Sequence, residues 1–192
     1  MSEALRFLRE FVRRPQEVGA LAQSGRGLAE MMVDDIGLDE ARAVVEYGPG
    51  LGPVTATLLE KAPRSCVVFA IELNPVFAAR LRERHPGLVV YNDTVAEVRA
   101  LVERLGLREV DCVVSGLPWA SFPEPEQRRL LERTVAVLRP GGRFVTFAYL
   151  QGFLLPAAWR FRGLLQEFFP EVHRSPIVWR NLPPAFVWRC RR

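Results

Sequence analysis

From residue 43 to residue 149 the chain repeats one pattern, a short apolar run followed by a longer segment with helical spacing. The runs are Ala43–Tyr47, Val67–Glu72, Leu88–Tyr91, Val110–Ser115 and Gly142–Tyr149. Most are apolar without alternation, as strands are when both faces of their sheet are covered. Helical patterns fill 54–61, 75–85, 94–105 and 124–138, and the last closes at Arg139-Pro140-Gly141-Gly142, a stop and turn. Repeated strand–helix units imply a parallel sheet with right-handed crossovers. The tail departs from this. After a helix over 157–168, β-like runs at 174–180 and 185–190 are separated only by Asn181-Leu182-Pro183-Pro184. That connection allows a hairpin and is too short for a parallel crossover. The expected fold is α/β: a doubly wound, mostly parallel, seven-stranded sheet with a C-terminal antiparallel hairpin, preceded by N-terminal helices.

Length and composition narrow the class. The 192 residues suffice for one ordinary domain. Residues 1–40 are expected to form amphipathic and lid helices, and 41–192 the main domain. In the first helix Leu5, Leu8 and Val12, with Phe7 and Phe11, fall at helical spacing among Arg6, Arg9, Arg13 and Arg14, until Pro15 breaks the pattern. A second segment follows, interrupted at Ser24-Gly25 before Leu28–Val33. Residues 1–14 carry six charges, so no signal peptide is expected. The longest uncharged run, 144–159, is shorter than the roughly twenty residues of a membrane span and is interrupted by Gln151, Gly152 and Pro156. Cys66, Cys112 and Cys190 fit neither a zinc site nor a disulfide framework, so they read as small core side chains in a reducing compartment, with no metal. Net charge is +4 and Lys61 is the single lysine. Arginine suits a phosphorylated partner or an anionic surface, although a coding preference for arginine explains the same numbers.

The chemistry concentrates at EYGPGLG, residues 46–52, directly after the first strand. Glycine lets backbone turn sharply and approach a ligand closely, and the following helix offers unpaired N–H groups. A nicotinamide site needs G-x-G-x-x-G, yet the third position counted from Gly48 is Pro53. Glu46, two residues before Gly48, would repel a pyrophosphate but suits the cationic amino-acid end of S-adenosyl-L-methionine. Glu72, twenty residues past Gly52, stands where a carboxylate takes ribose hydroxyls. Asn92-Asp93, after the third strand, suits the adenine amino group or, equally, a helix N-cap. After the fourth strand, Ser115-Gly116-Leu117-Pro118-Trp119 would aim backbone carbonyls at an incoming amine. The face of Trp119 would attract a cation, or the ring would cover the core edge. Tyr149, ending the fifth strand, would orient the amine. His85 and His173 read as structural.

With these motifs, the chain resembles the bacterial phospholipid N-methyltransferases, which belong to the Rossmann-like class I S-adenosylmethionine-dependent methyltransferases. The resemblance runs over nearly the whole length, through FLREFVRRPQEVGALAQSG, EYGPGLG, AIELNPVFAARLRERHP (70–86), VVSGLPWASFP (113–123) and VWRNLPPAFVWRCRR. It implies stepwise methylation of phosphatidylethanolamine towards phosphatidylcholine, with S-adenosyl-L-homocysteine released. It implies a cytoplasmic enzyme, peripheral on the inner face of the cell membrane, whose basic N-terminal helix lies in the anionic interface. Phe153, Leu154, Leu155 and Trp159 would form a second membrane-facing lip. By matching motif, Glu46, Gly48, Pro49, Gly50 and Gly52 would hold the amino-acid end of the cofactor. Glu72 and Leu73 would hold the ribose, Asn92 and Asp93 the adenine, and Ser115 would border both cofactor and acceptor. Arg26, Arg180 and Asn181 are the candidates for the lipid head group, and Ser115, Leu117, Trp119 and Tyr149 for the methyl-transfer centre. Where the family tends to carry proline-serine-serine, this chain reads Gln23-Ser24-Gly25 in the expected lid. A more distant resemblance links it to ribosomal RNA adenine dimethyltransferases. Those present N-[LI]-P-[YF] after the fourth strand and use a further helical domain, whereas Ser115 here has no amide, which argues against nucleic acid as the acceptor. A soluble RNA or small-amine methyltransferase, and a membrane-binding module without turnover, are the other readings.

Overall fold

The computed structural model describes residues 25–154 and 156–192. The segment expected to form the N-terminal amphipathic helix and all of the expected lid before Gly25 lie outside the described residues, as does Leu155. In chain order the elements are α1 (Arg26–Val33), β1 (Ala43–Tyr47), α2 (Pro53–Lys61), β2 (Val67–Ile71), α3 (Pro75–Arg84), β3 (Val89–Tyr91) and α4 (Val98–Arg104). They continue with β4 (Val110–Ser115), α5 (Glu124–Val137), β5 (Leu138–Tyr149), α6 (Pro156–Phe168), β6 (Glu171–Arg174) and β7 (Ala185–Arg191). The seven strands run in the order β3-β2-β1-β4-β5-β7-β6. The first five are parallel, while β7 lies antiparallel to both β5 and β6. Strand order reverses beside β1, between β1 and β4, which is where open α/β sheets bind ligands.

Alternation along β1 divides the interior. Val45 and Tyr47 join Phe69, Val113, Phe144 and Phe186 on one face. Val44 joins Cys112, Val114 and Val145 on the other, under Leu28, Met32 and Leu58 of α1 and α2. The described part of the N-terminal segment is thus packed into the main core. Asp111 holds the lower end of the sheet: its carboxylate accepts from the N–H groups of Arg42 and Ala43 and pairs with Arg139. Burial alone would raise its pKa, but these partners together hold it below the usual carboxylate range, the Arg139 hydrogen bond being the strongest of them. Cys112 and Cys190 are buried, and burial raises the Cys112 thiol to about 12. Both behave as the sequence suggests, as inert core groups.

Two expectations change. Arg139–Gly142 is not a turn outside the sheet. α5 stops at Val137 and β5 starts at once at Leu138, with the four residues taken up as an irregularity between the Val110↔Leu138 and Cys112↔Arg143 pairs. The tail hairpin is not 174–180 against 185–190. Its first strand is Glu171–Arg174, and residues 175–184 form a long connection with a single bridge from Val178 to Ala185. The register slips beyond Ser175: in step, Ile177 would face Ala185, but Val178 takes that place, so one residue is looped out and the regular ladder ends. Ser175 closes the ladder: its N–H donates to the Val187 carbonyl and its hydroxyl accepts from the Val187 N–H.

Candidate active site

The loops after β1, β2 and β4 are bound to one another at the C-terminal end of the sheet. The Gly48 N–H donates to the Ile71 carbonyl at 2.9 Å, and the Gly116 N–H to the Tyr47 carbonyl at 2.8 Å. Three glycines of the EYGPGLG turn have positive φ, for two different reasons. A Cβ on Gly48 would stand 2.8 Å from Leu117 Cδ2, and one on Gly52 would stand 2.6 Å from Leu81 Cδ1. There the protein fills the space itself. Gly50, at φ +57°, has nothing within 4 Å of the same position. Its left-handed backbone faces open space, where a ligand would lie. The Gly52 N–H bonds back to the Pro49 carbonyl, and Gly52 then caps α2, whose first residue is Pro53.

Two carboxylates flank this turn. Glu46 is 2% exposed and accepts a 2.6 Å hydrogen bond from the Thr55 hydroxyl. Burial is the main influence on it, and the nearby Glu72 adds repulsion. Although Thr55 opposes both, the carboxyl rises to about 8. Glu72 is also buried and also raised, burial outweighing the N–H donors of Asn74 and Gly50. Its two oxygens bridge the Gly50 N–H at 3.0 Å and the Asn74 N–H at 2.8 Å, which ties the glycine turn to the head of α3. Asn92 Nδ2 donates to the carbonyls of Glu72 and Leu73, clamping that loop to the end of β3. Asp93 accepts from the Thr94 N–H, and the Thr94 hydroxyl in turn accepts from Ala96 N–H as an N-cap. Glu46, Glu72, Leu73, Asn92 and the glycines are therefore joined in one region, as the sequence suggests.

On the expected acceptor side, the structure shows the second of the two readings of Trp119, the core one: the ring offers no face to a cation, is 2% exposed and is stacked on Phe161 at 5.2 Å, with Phe122 and Phe144 edge-on. Its indole N–H donates to Ser115 Oγ at 2.9 Å, and Ser115 also accepts from the Leu117 N–H. The Ser115 carbonyl accepts from the Thr146 hydroxyl and the Leu117 carbonyl from the Trp119 N–H, so these two groups shape the loop. Gln127 of α5 completes it, donating to the carbonyls of Trp119 and Phe122. Tyr149 closes β5 opposite Ala185, edge-on to Phe147. Arg26 is exposed and pairs with Glu30 and Glu60. Arg180 is exposed. Asn181 is not an open head-group ligand: it is buried, its oxygen accepting from the Gly25 N–H and its nitrogen donating to the Pro183 carbonyl. Thr55, Asn74 and Gln127 escaped sequence reasoning. Asn74 before Pro75 carried a helix-cap signal, whereas the roles of Thr55 and Gln127 depend on tertiary packing alone.

The sequence profile of the "Methyltransferase domain" family matches residues 44–142, just over half of the chain. The chain belongs to the methyltransferases. An ornithine lipid N-methyltransferase of Singulisphaera acidiphila is 34% identical to this methyltransferase over 194 residues, covering 100% of the chain and 97% of the relative. A ribosomal RNA small subunit methyltransferase A of Albidiferax ferrireducens is 44% identical over 71 residues, covering only 37% of the chain and 26% of the relative. Among solved structures, the O-methyltransferase from Bacillus cereus in complex with SAH superposes with a TM-score of 0.71 at 13% identity, covering 100% of this chain and 92% of that one. That likeness establishes the Rossmann-like fold.

S-adenosylmethionine is the methyl donor of this methyltransferase. The residues present fit it. The open space beside Gly50, the buried acid at Glu46 and the carboxylate of Glu72 at the end of β2 are the features that a cationic amino-acid end and a ribose require. When bound, the donor supplies an electrophilic methyl group, and the protein's part is to hold it and align the acceptor. Among the described residues no group of His, Cys, Asp and Glu is arranged to hold a metal ion.

Proposed function

We propose that this methyltransferase acts on the amine of a lipid head group, with phosphatidylethanolamine or an ornithine lipid as acceptor. The supporting observation is the 34% identity to an ornithine lipid N-methyltransferase, which spans essentially the full length of both chains. Both lipids offer a primary amine that is protonated at neutral pH and must be neutral to attack. Neither histidine stands at the C-terminal end of a central strand. His85 closes α3 and His173 lies in β6 at the sheet edge. In this reading desolvation beside the buried loop at Ser115–Trp119 favours the neutral amine, with no dedicated base. Among the described residues no helix is long and apolar enough to cross a membrane. The enzyme would meet its substrate at the anionic inner surface of the cell membrane, the basic segment before Gly25 contributing to attachment. Ribosomal RNA is the second reading, resting on the partial match to methyltransferase A, and Ser115 in place of an amide side chain weighs against it.

The test is transfer of label from S-adenosylmethionine to phosphatidylethanolamine and to ornithine lipid in mixed micelles. Free ethanolamine, free ornithine and ribosomal RNA serve as parallel acceptors. Label confined to either lipid supports the proposal. Label in RNA or in the free amines, with none in lipid, would leave the methyltransferase assignment standing and remove the lipid.

A further inference from the structure

The connection between β6 and β7, residues 175–184, exposes apolar side chains that a soluble surface does not need. Trp179 is 68% exposed and Leu182 75%, the most exposed large apolar side chains among the described residues. The exposure is not that of a loose loop, because one of the two residues between them, Asn181, is an anchor. Asn181 is buried, bonded to the Gly25 N–H on one side and the Pro183 carbonyl on the other. The Val178 N–H reaches the Ala185 carbonyl at 2.7 Å, and the Asn181 N–H returns to the Val178 carbonyl. The backbone is thus fixed on both sides of Asn181 while the neighbouring Trp and Leu are held out to solvent. The fold forgoes the hydrophobic gain of burial at both positions.

The position of this tip limits what can cover it. Ala185 pairs with Tyr149 at the C-terminal end of β5, so the connection rises at the same end of the sheet as the loops around Gly50 and Ser115. The Leu150 N–H binds the Pro184 carbonyl, joining the connection to the segment that leads into α6. In the first turn of α6, at the same end, Trp159 is 52% exposed with the Arg162 guanidinium 5.7 Å from its ring centre. From Val172 to Ala185 the chain carries Arg174 and Arg180 and no acid. Tryptophan and leucine beside arginine, on the rim of a site and without acids, match the headgroup–acyl boundary of an anionic bilayer.

We infer that the 175–184 connection is a membrane wedge: Trp179 and Leu182 enter the interface of an anionic bilayer and seat the cofactor end of the sheet on it. The inference rests on the lipid reading above and adds a docking element distinct from the N-terminal segment. Two measurements on the full chain test it. In flotation with phosphatidylglycerol vesicles, which contain no amine acceptor, Trp179→Ser/Leu182→Ser partitions about tenfold or more below wild type. Methyl transfer to lipid in detergent micelles is retained, which also shows that the variant is folded. With brominated lipids in the same vesicles, tryptophan fluorescence of wild type is quenched, and Trp179→Phe removes most of that quenching while still floating. Equal flotation of the double variant, quenching unchanged by Trp179→Phe, or a wild type that does not float would each overturn the wedge. Loss of the double variant's activity in micelles as well as vesicles would equally overturn it, by placing Trp179 and Leu182 in the fold or the site. A wild type that floats through Trp179 yet labels no lipid in micelles would sink the lipid reading and leave the wedge in place.

Discussion

Replacing Glu46 by glutamine isolates the least comfortable charge in the core. The carboxyl is 2% exposed and raised from its ordinary 4.5 to about 8, mainly because burial disfavours its ionised form. Between those two values the folded protein keeps the proton while the unfolded chain has lost it. Protons bound by the folded state in excess make stability fall as pH rises. The favourable contribution is complete below pH 4.5 and gone above about 8. At 1.36 kcal/mol per pH unit, the full window corresponds to about 5 kcal/mol, and the interval from pH 6 to pH 8 to somewhat over 2 kcal/mol.

Glutamine keeps the shape and can still accept from the Thr55 hydroxyl, but it does not titrate. Glu72, raised by burial, and His85, lowered by burial, also titrate between the two states and tilt the curves of both proteins. The difference between wild type and Glu46→Gln removes their common part. Urea unfolding followed by circular dichroism, at pH 6 and pH 8 without cofactor, reads it directly. With a slope of about 2 kcal/mol per molar urea, the wild-type midpoint should fall by about 1 M relative to the variant across that interval. Midpoints that stay parallel, or a wild type that gains on the variant as pH rises, would mean that Glu46 is already ionised at neutral pH in the folded protein, and would refute the argument.

Three further outcomes follow from the loops around it. Gly50→Ala places a methyl in open space and should keep the fold at a cost of about 1–2 kcal/mol of backbone strain while losing S-adenosylmethionine binding; Gly52→Ala, which meets Leu81, should lose more stability, and thermal denaturation with and without the cofactor separates the two. Ser115→Ala leaves the buried Trp119 N–H without its acceptor and should lower stability by about 1–3 kcal/mol, as measured by denaturant midpoint; an unchanged midpoint would show that the bond contributes nothing. Asn181→Ala removes the tie to Gly25 and should increase proteolytic cutting within 175–184 before global unfolding, with intact-mass analysis locating the cuts; cleavage no faster than in wild type would show that the loop is held by its other contacts.

The geometry around the glycine turn is legible in the sequence because its requirements are local. A strand, a glycine turn and a helix start are consecutive in sequence, so Glu46 and Gly48–Gly52 meet by chain continuity, and Glu72 arrives one strand later at a predictable register beside β1. Even there, the sequence did not distinguish glycines packed against Leu117 and Leu81 from the one that faces space, since that difference depends on distant side chains. Trp119 and Asn181 are hard to place from sequence for the same reason. Trp119 follows a strand end and a proline, which places it at the rim in sequence, but the stacking partner Phe161 is more than forty residues away and draws the ring inward. Asn181 beside Arg180 resembles a polar pair made for a phosphate until Gly25, 156 residues distant, is seen to occupy its amide oxygen. The hairpin boundaries differ because the register slips by one residue between Ser175 and Val178, a change set by pairing with β7 and not by the run of β-type residues. Polar side chains near the ends of strands thus divide by how many partners the fold already gives them. Asn181 and Ser115 are spent on architecture, whereas the raised carboxyl of Glu46 has a single hydroxyl donor against full burial. A cation brought beside Glu46 would gain an ion pair and lower that carboxyl at once, which is why an acid so costly to the empty fold is intelligible in a site for a cationic donor.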